Sequence, residues 1–336
     1  MFVPMMSALM PLQTIDRSTM TSVSQLIQKQ VSLCDKNWFK TGGPAEYYSE
    51  PVTIEQFEAA LVWARAEGKP LTILGAGANI LIADRGIPGL VMRPAHKAIA
   101  LVHEDQDFAY VRAGAGCSMD SLIEWCLENQ IRGLEEFSGI PGTVGGSVYI
   151  NLHYYEFLLE QFLHEARVIE VKTGKVSTVD RDWFQFGYDA SKLQEKEYLL
   201  FDATFALKKI DALGVAYARG RRVEIIRHRA ARYPTKNTCG SFFRNFLPHE
   251  VTLESSGKKM IYVAYYLDKV GVKGTLSVGD AIVSHQHANM IVNKGNATSA
   301  DIIALARAMQ QLVLDQFGII PHTECQLLGF AEHPLL

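Results

Sequence analysis

The chain has 336 residues, 48% hydrophobic and 21% charged, with a formal net charge of −3. This length suits two or three domains with real apolar cores and excludes a disordered or fibrous chain. The near balance of charge gives no global pull towards nucleic acid or an acidic membrane, and five cysteines scattered without a CxxC pair argue against a disulfide framework or a zinc site and for a reducing compartment.

At the N-terminus, MFVPMMSALMPLQT has no positive charge ahead of its apolar run and two prolines within it. It is expected as a flexible tail rather than a signal peptide. No later stretch approaches the ~18 uncharged apolar residues of a membrane span, so none is expected. Residues 37–115 read as short strands with glycine punctuation: AEYYSEP, PLTILGAGAN, GLVMRP and FAYVRAGAG. An amphipathic helix over residues 54–67 separates the first two. From Ser118 the period changes: Met119, Leu122, Ile123 and Cys126 recur at helical spacing, with Ser118 as N-cap.

Further on, EARVIEVKTGKVSTVD reads as a hairpin turning at Thr173 and Gly174, and YLLFDATFALKKI as a strand. The stretch RGRRVEIIRHRAAR is a basic helix. The last helix, SADIIALARAMQQLVLDQFG, carries Ile302, Leu305, Met309 and Leu312 on one face, with Ser299 as its cap and Gly318 as its stop. The mixture of strands and helices in both halves predicts an α+β chain, with a boundary near residue 212. Cys239 and Cys325 are expected as small buried packers.

Three glycine loops invite a chemical reading: TGGPAEYY at 41–48, GAGAN at 75–79 with GIPG at 86–89, and SGIPGTVGG at 138–146. Glycine lets backbone N–H groups approach a phosphate closely, and two such loops in one domain can grip a pyrophosphate from both sides. Each alone is equally a tight turn. GAGAN does not open a long helix as a GxGxxG fingerprint would, and no GxxxxGK[ST] loop occurs.

Five segments in order, WFKTGGPAEYY, LGAGANILIADRGIPGLVMR, RGLEEFSGIPGTVGGSVYIN, CGSFFRN and HANMIVNKGNATSADII, resemble the UDP-N-acetylenolpyruvoylglucosamine reductase (MurB) family over residues 37–329. GIPGTVGG and GSFFRN are the most specific of the matching pieces. The resemblance implies a two-lobed FAD-binding domain of the vanillyl-alcohol-oxidase (PCMH) type over 37–211 and a smaller α+β substrate domain over 212–336, after a tail and first elements in 1–36. It implies non-covalent FAD held by Gly75, Ala76, Gly77, Ala78, Asn79 and Ile80 in one loop and by Gly139, Ile140, Gly142, Thr143 and Gly146 in the other, with Thr41, Gly42 and Gly43 nearby. It implies NADPH as co-substrate, a small UDP-sugar as substrate, no metal, a monomer and a cytoplasmic location.

By the same resemblance Ser241 is the proton donor, Glu324 the carboxyl-terminal catalytic glutamate, and Tyr188, Arg229 and Asn245 substrate contacts. The reaction is the reduction of an enolpyruvyl ether to a lactyl ether in peptidoglycan precursor synthesis. The chain departs from the family pattern in three places. Asp189 stands where a catalytic arginine follows the tyrosine, INLHYYEF stands where Asn-Ala-Gly-Ala-Tyr-Gly follows the second loop, and Ala78 replaces a serine. Within that family Asp189 is then either tolerated, by turning away from the substrate or holding a proton, or compensated by a nearby arginine such as Arg229 or Arg232. The 53 residues from Tyr188 to Ser241 (241 − 188) resemble the subgroup without an inserted substrate-covering loop. Two alternatives stay open: a flavin oxidoreductase of this fold with another substrate, and a catalytically silent FAD-binding protein.

Overall fold

The computed structural model describes residues 25–336, and the stretch expected as a flexible tail lies outside them. A first sheet runs Gln28–Ser32, Pro44–Ser49, Ile87–Met92, Leu71–Ile73 in spatial order, antiparallel at the first pair and parallel at the other two. The helix Ile54–Ala66 makes one of the crossovers. It starts where Thr53 and Gln56 form a capping box. Its buried Phe57, Ala60, Leu61 and Ala64 fall on one face. They pack against Leu90 and Met92 of the first sheet and Ile169, Leu199 and Phe201 of the next, so one cluster fastens two lobes.

The second sheet has the order Val176–Asp180, Leu163–Glu170, Tyr198–Lys209, Phe108–Gly114, Ile99–Glu104, antiparallel throughout. The expected hairpin is its edge, with Gly174 at φ +81° in the turn. The helix Met119–Glu128 starts at the expected cap: the Ser118 hydroxyl accepts from the Ser121 N–H. Met119, Leu122, Ile123 and Cys126 enter the same core as Phe137 and Phe205.

A third sheet, Ser277–Val278, Ala281–Val283, Ile291–Asn293, carries the helix Ser299–Phe317. Gly318 ends that helix at φ +70° as expected, but its N-cap is Thr298, in a capping box with Asp301, and not Ser299. Ser299 serves the join between units instead. Its hydroxyl accepts from the Asp84 N–H at 2.9 Å, while the Asp84 carboxylate accepts from the N–H groups of Ser299 and Ala300 at 2.8 and 3.1 Å. Cys239 and Cys325 are both buried in this last core.

The basic stretch lies in a long helix, Ala212–Arg232. Ala218 belongs to the second lobe's core. The helix arginines pair with that lobe's acids: Arg221 with both Glu136 oxygens at 2.9 Å, Arg222 with Asp120 and Arg219 with Glu124 at 2.6 Å. Exposed pairs of this kind contribute about 0.2–1 kcal/mol each, so they set the helix's seat more than its stability. The boundary drawn at 211/212 falls at the start of this helix; the third core takes Phe39 and Leu81 from the first lobe and the rest of its buried residues from Cys239 onward, beyond the helix's end. A parallel pairing of Ile80–Ile82 with Gln326–Leu328 then ties the C-terminal segment to the first lobe.

Candidate active site

The two glycine loops face each other. A Cβ on Gly75 would lie 2.9 Å from Thr143 Oγ1, so the loops approach to less than a side chain's width. Gly77, at φ +67°, would place a Cβ 2.6 Å from the Lys36 carbonyl, and its own carbonyl accepts from the Trp38 N–H at 2.9 Å. Only glycine allows that approach. In the opposite loop Gly139 sits at φ +75°, the Gly142 carbonyl accepts from the Met119 N–H at 3.1 Å, and Thr143 Oγ1 accepts from the Gly146 N–H at 3.2 Å. Asn79 Oδ1 and Ser138 Oγ, one beside each loop, are buried without a hydrogen-bond partner among the described residues. Buried polar atoms rarely stay unpaired. A flat glycine cradle flanked by two such atoms fits a phosphate-bearing cofactor such as FAD.

The remaining residues of this set have identifiable places. Ala76 and Ala78 are partly exposed in the first loop; Ile80 begins the strand paired with Gln326; Ile140 packs against the second lobe's core. Thr41 serves the join to the last unit, while Gly42 and Gly43 pack closely within the first lobe. The Thr41 hydroxyl donates to the Ala297 carbonyl at 2.7 Å, and Cβ atoms on the two glycines would meet Ile82 at 2.6 Å and the Asp84 carbonyl at 2.2 Å.

The reacting groups come from two segments far apart in the chain. Gly240 at φ +81° turns the backbone into Ser241. Beyond it a short antiparallel alignment forms: Phe243 bridges Thr323, the Phe242 carbonyl accepts from the N–H groups of Glu324 and Cys325 at 2.9 and 3.2 Å, and the Arg244 N–H donates to the His322 carbonyl at 2.9 Å. This register sets Ser241 beside Glu324 and Cys325. The half-buried Ser241 hydroxyl has no hydrogen bond to the chain among the described residues. Two residues past Glu324, the Gln326 N–H donates to the Asn79 carbonyl at 3.1 Å, which brings the first glycine loop alongside.

Burial first, and the Asp189 carboxylate second, push the Glu324 carboxyl up to about 8, so it holds its proton at neutral pH. The Tyr188 phenol is pushed up to about 12, by desolvation and then by Asp189 and Glu324, while a hydrogen bond with Asn245 acts in the other sense. Tyr188 keeps 61% of its surface open, so this effect belongs to its hydroxyl end. Asn245 also accepts from the Val263 N–H at 3.3 Å, which anchors it to the last domain. Tyr188, Asp189, Asn245, Ser241 and Glu324 therefore gather at one place.

Arg229 stands at the second loop. Its Nε donates to the Gly139 carbonyl at 3.2 Å, and its guanidinium lies over the rings of Tyr233 and Tyr154 at 5.3 and 5.6 Å. Desolvation there lowers its pKa. Neither Arg229 nor Arg232 meets Asp189, contrary to the expected compensation: Arg232 turns to His228 at 3.4 Å. The group that meets Asp189 is His153, Nδ1 to Oδ1 at 3.3 Å. His153 and Tyr154 begin a two-stranded hairpin with Phe157–Leu158 immediately after the second loop. Sequence reasoning marked INLHYYEF as a departure and gave its aromatic and imidazole groups no role. The run of one histidine and two tyrosines straight after a cofactor loop was the available signal.

Two family models and several known proteins are similar to this chain. Residues 45–180 match a family model described as FAD binding domain, and residues 232–328 one described as UDP-N-acetylenolpyruvoylglucosamine reductase, C-terminal domain. A UDP-N-acetylenolpyruvoylglucosamine reductase of Synechococcus sp. (strain WH7803) is 34% identical over 310 residues, covering 91% of this chain and 94% of the relative. One from Clostridium botulinum (strain Hall / ATCC 3502 / NCTC 13319 / Type A) is 31% identical, covering 87% and 89%. The crystal structure of the reductase from Thermus caldophilus superposes with a TM-score of 0.72 at 26% identity, covering 90% of this chain and 99% of that one.

Proposed function

We propose a function on one premise: the chain belongs to the UDP-N-acetylenolpyruvoylglucosamine reductase family. It is an FAD-dependent oxidoreductase whose substrate is UDP-N-acetylglucosamine enolpyruvate, reduced at the expense of NADPH to UDP-N-acetylmuramate. The observation that carries the reading is the meeting of the Ser241 and Glu324 segments at the edge of the loop 75–79. FAD, when bound, would supply the hydride for C3 of the enolpyruvyl group, and Gly75, Gly77, Asn79, Gly139, Gly142, Thr143 and Gly146 would hold it; the close approach of the two loops supports this. Non-covalent binding, a monomer and a cytoplasmic location go with this reading.

The chain's own chemistry is proton delivery and charge control. Ser241, with its hydroxyl free of the chain, gives a proton to C2, so that the double bond gains one hydride and one proton. The extra negative charge that hydride addition would put on C2 and the substrate carboxylate is what this proton quenches, and protonated Glu324 would donate to it until the proton arrives. Tyr188 and Asn245 form the wall on the side of the sugar nucleotide, and Arg229 backs the second loop.

The test separates two half-reactions. The purified protein should carry FAD, bleach with NADPH, and reoxidise with the enolpyruvyl substrate at a turnover on the order of 1–10³ per second. Ser241→Ala should slow reoxidation about 10²–10⁴-fold and leave reduction by NADPH nearly intact. An equal loss in both halves assigns Ser241 to shaping the flavin site, and a protein reduced by NADPH that the substrate cannot reoxidise has another substrate.

A further inference from the structure

Asp189 is held in an unusual way. Its φ of +53° lies in the left-handed region, where Asp is tolerated better than most residues with long or branched side chains. Gly187 and Ala190 exchange backbone hydrogen bonds around it at 3.0 and 3.4 Å, and its own carbonyl accepts from Gln194 Nε2 at 2.7 Å. The turn is thus fixed, and with it a carboxylate that lies 3.3 Å from His153 Nδ1. Both side chains are about three-quarters withdrawn from solvent, at 29% and 25% exposed. The His153 ring lies 4.9 Å from the Tyr188 ring, at an angle of 41°. The two largest departures from the family pattern, the segment after the second loop and the aspartate after Tyr188, are therefore one contact in space.

An anionic substrate entering between Ser241 and Tyr188 meets two acidic side chains. Glu324 is neutral at pH 7, as shown above; Asp189 needs a counter-charge. The cations around it are engaged elsewhere. Arg244 makes a bidentate contact with Glu250 at 2.7 and 2.8 Å, Arg229 holds the Gly139 carbonyl, and Lys192 lies 4.9 Å over the Trp183 ring. His153 Nε2 has no hydrogen bond to the chain among the described residues. Resting on the reductase reading, we infer that His153, held through Nδ1 by Asp189, is the cationic donor that meets the substrate's carboxylate. A proton on His153 would make its pair with Asp189 neutral as a unit and would remove the repulsion that a lone Asp189 exerts, on the order of several kcal/mol at about 4 Å in a partly buried site. Its free Nε2–H is the group that recognises the carboxylate.

The experiment compares UDP-N-acetylmuramate, whose lactyl ether carries the carboxylate, with UDP-N-acetylglucosamine, which lacks that whole group, by titration calorimetry against the FAD-loaded enzyme; the His153 and Asp189 variants isolate the part of the preference due to the carboxylate. A hydrogen bond to a charged group discriminates by about 10–100-fold, and the unaltered enzyme should prefer the carboxylate ligand by that factor. His153→Ala should abolish the preference or reverse it, because Asp189 is left uncompensated. Adding Asp189→Ala to His153→Ala should then restore binding of the carboxylate ligand above that of His153→Ala alone. Variants are compared at full flavin occupancy, read from the visible spectrum, which separates loss of recognition from loss of fold. Equal binding of the two ligands by the unaltered enzyme overturns the inference, as does a double variant no better than His153→Ala. Failure of the reductase reading shows differently, as an enzyme that the enolpyruvyl compound does not reoxidise.

Discussion

Two carboxyl groups are withdrawn from water in different parts of this molecule, and their surroundings drive them in opposite directions. Asp202 lies in the middle of the second sheet, 1% exposed. Arg167 is its cross-strand neighbour, and its Nε lies 3.0 and 3.1 Å from the two carboxylate oxygens, with a second guanidinium nitrogen in close contact. His96 Nε2 is 3.8 Å away, and both partners stack on Phe201, at 4.9 Å for the guanidinium and 4.5 Å for the imidazole. Burial alone would raise Asp202, but His96 and the hydrogen-bonded Arg167 beside it outweigh burial and hold the carboxyl below its ordinary value. Glu324 is half-buried with its carboxyl desolvated, and its charged neighbour is not a cation but Asp189. The first group fastens a sheet. The second holds a proton beside a free serine hydroxyl at a cost to folding, the kind of arrangement that marks a site of chemistry rather than a strut.

Removing the strut should have the largest effect. Asp202→Ala leaves Arg167 facing a buried gap, and breaking such a pair costs about 3–5 kcal/mol. The low end applies, because the Arg167 side chain is 31% exposed and can recruit water. Urea denaturation measures it; a loss under ~1 kcal/mol would mean that the sheet does not rely on the pair.

The second prediction sets the two carboxyls against each other through pH. Asp202, lowered in the fold, adds stability that is present above its unfolded value and lost as pH falls through its folded one. Glu324 has the opposite sign. Between its ordinary value of 4.5 and its folded value of about 8, the native state keeps a proton that the unfolded chain has released, so its contribution to stability falls as pH rises through that window and levels off above it. Glu324→Gln should therefore gain on the parent by a few degrees in melting temperature from pH 5 to pH 8.5, with little difference at pH 4. Parallel melting curves for parent and variant across that range would show that Glu324 ionises freely in the fold.

The smallest effect concerns the neighbour that distinguishes the two sites. Asp189→Arg forces a long side chain into φ +53°, which costs about 1–2 kcal/mol. It also replaces the anion beside Glu324 with a cation, which should move the Glu324 titration downward. Infrared titration of the carboxyl band in parent and variant reads the shift. A Glu324 titration unmoved by the change would leave burial as its only cause.

Much of the scaffold was legible because its signals are local. Helical spacing in 54–66 and 119–128, the cap Ser118, the hairpin turn at Gly174 and the stop at Gly318 all act within a few residues of the chain. The glycine loops were legible as candidate phosphate cradles for the same reason. The cap of the last helix was misread by one residue because Thr298 and Ser299 are both competent caps. What separates them is Asp84, 215 positions away, which engages Ser299 from the first lobe.

By itself the sequence determined the α+β class, the order of the elements and the two glycine loops, since each depends on residue type and short-range spacing; Ser241 and Glu324 stood out only through the resemblance to the reductase family. Tertiary structure alone decided the charge state at the site. Whether Glu324 holds a proton depends on its burial and on Asp189, and whether Asp189 is tolerable depends on His153, 36 positions earlier (189 − 153), reaching it from another loop. Charge interactions act through space over a few ångströms with a strength set by local burial. No spacing along the chain encodes that distance, which exists only once the hairpin after the second loop and the turn at Asp189 have packed together.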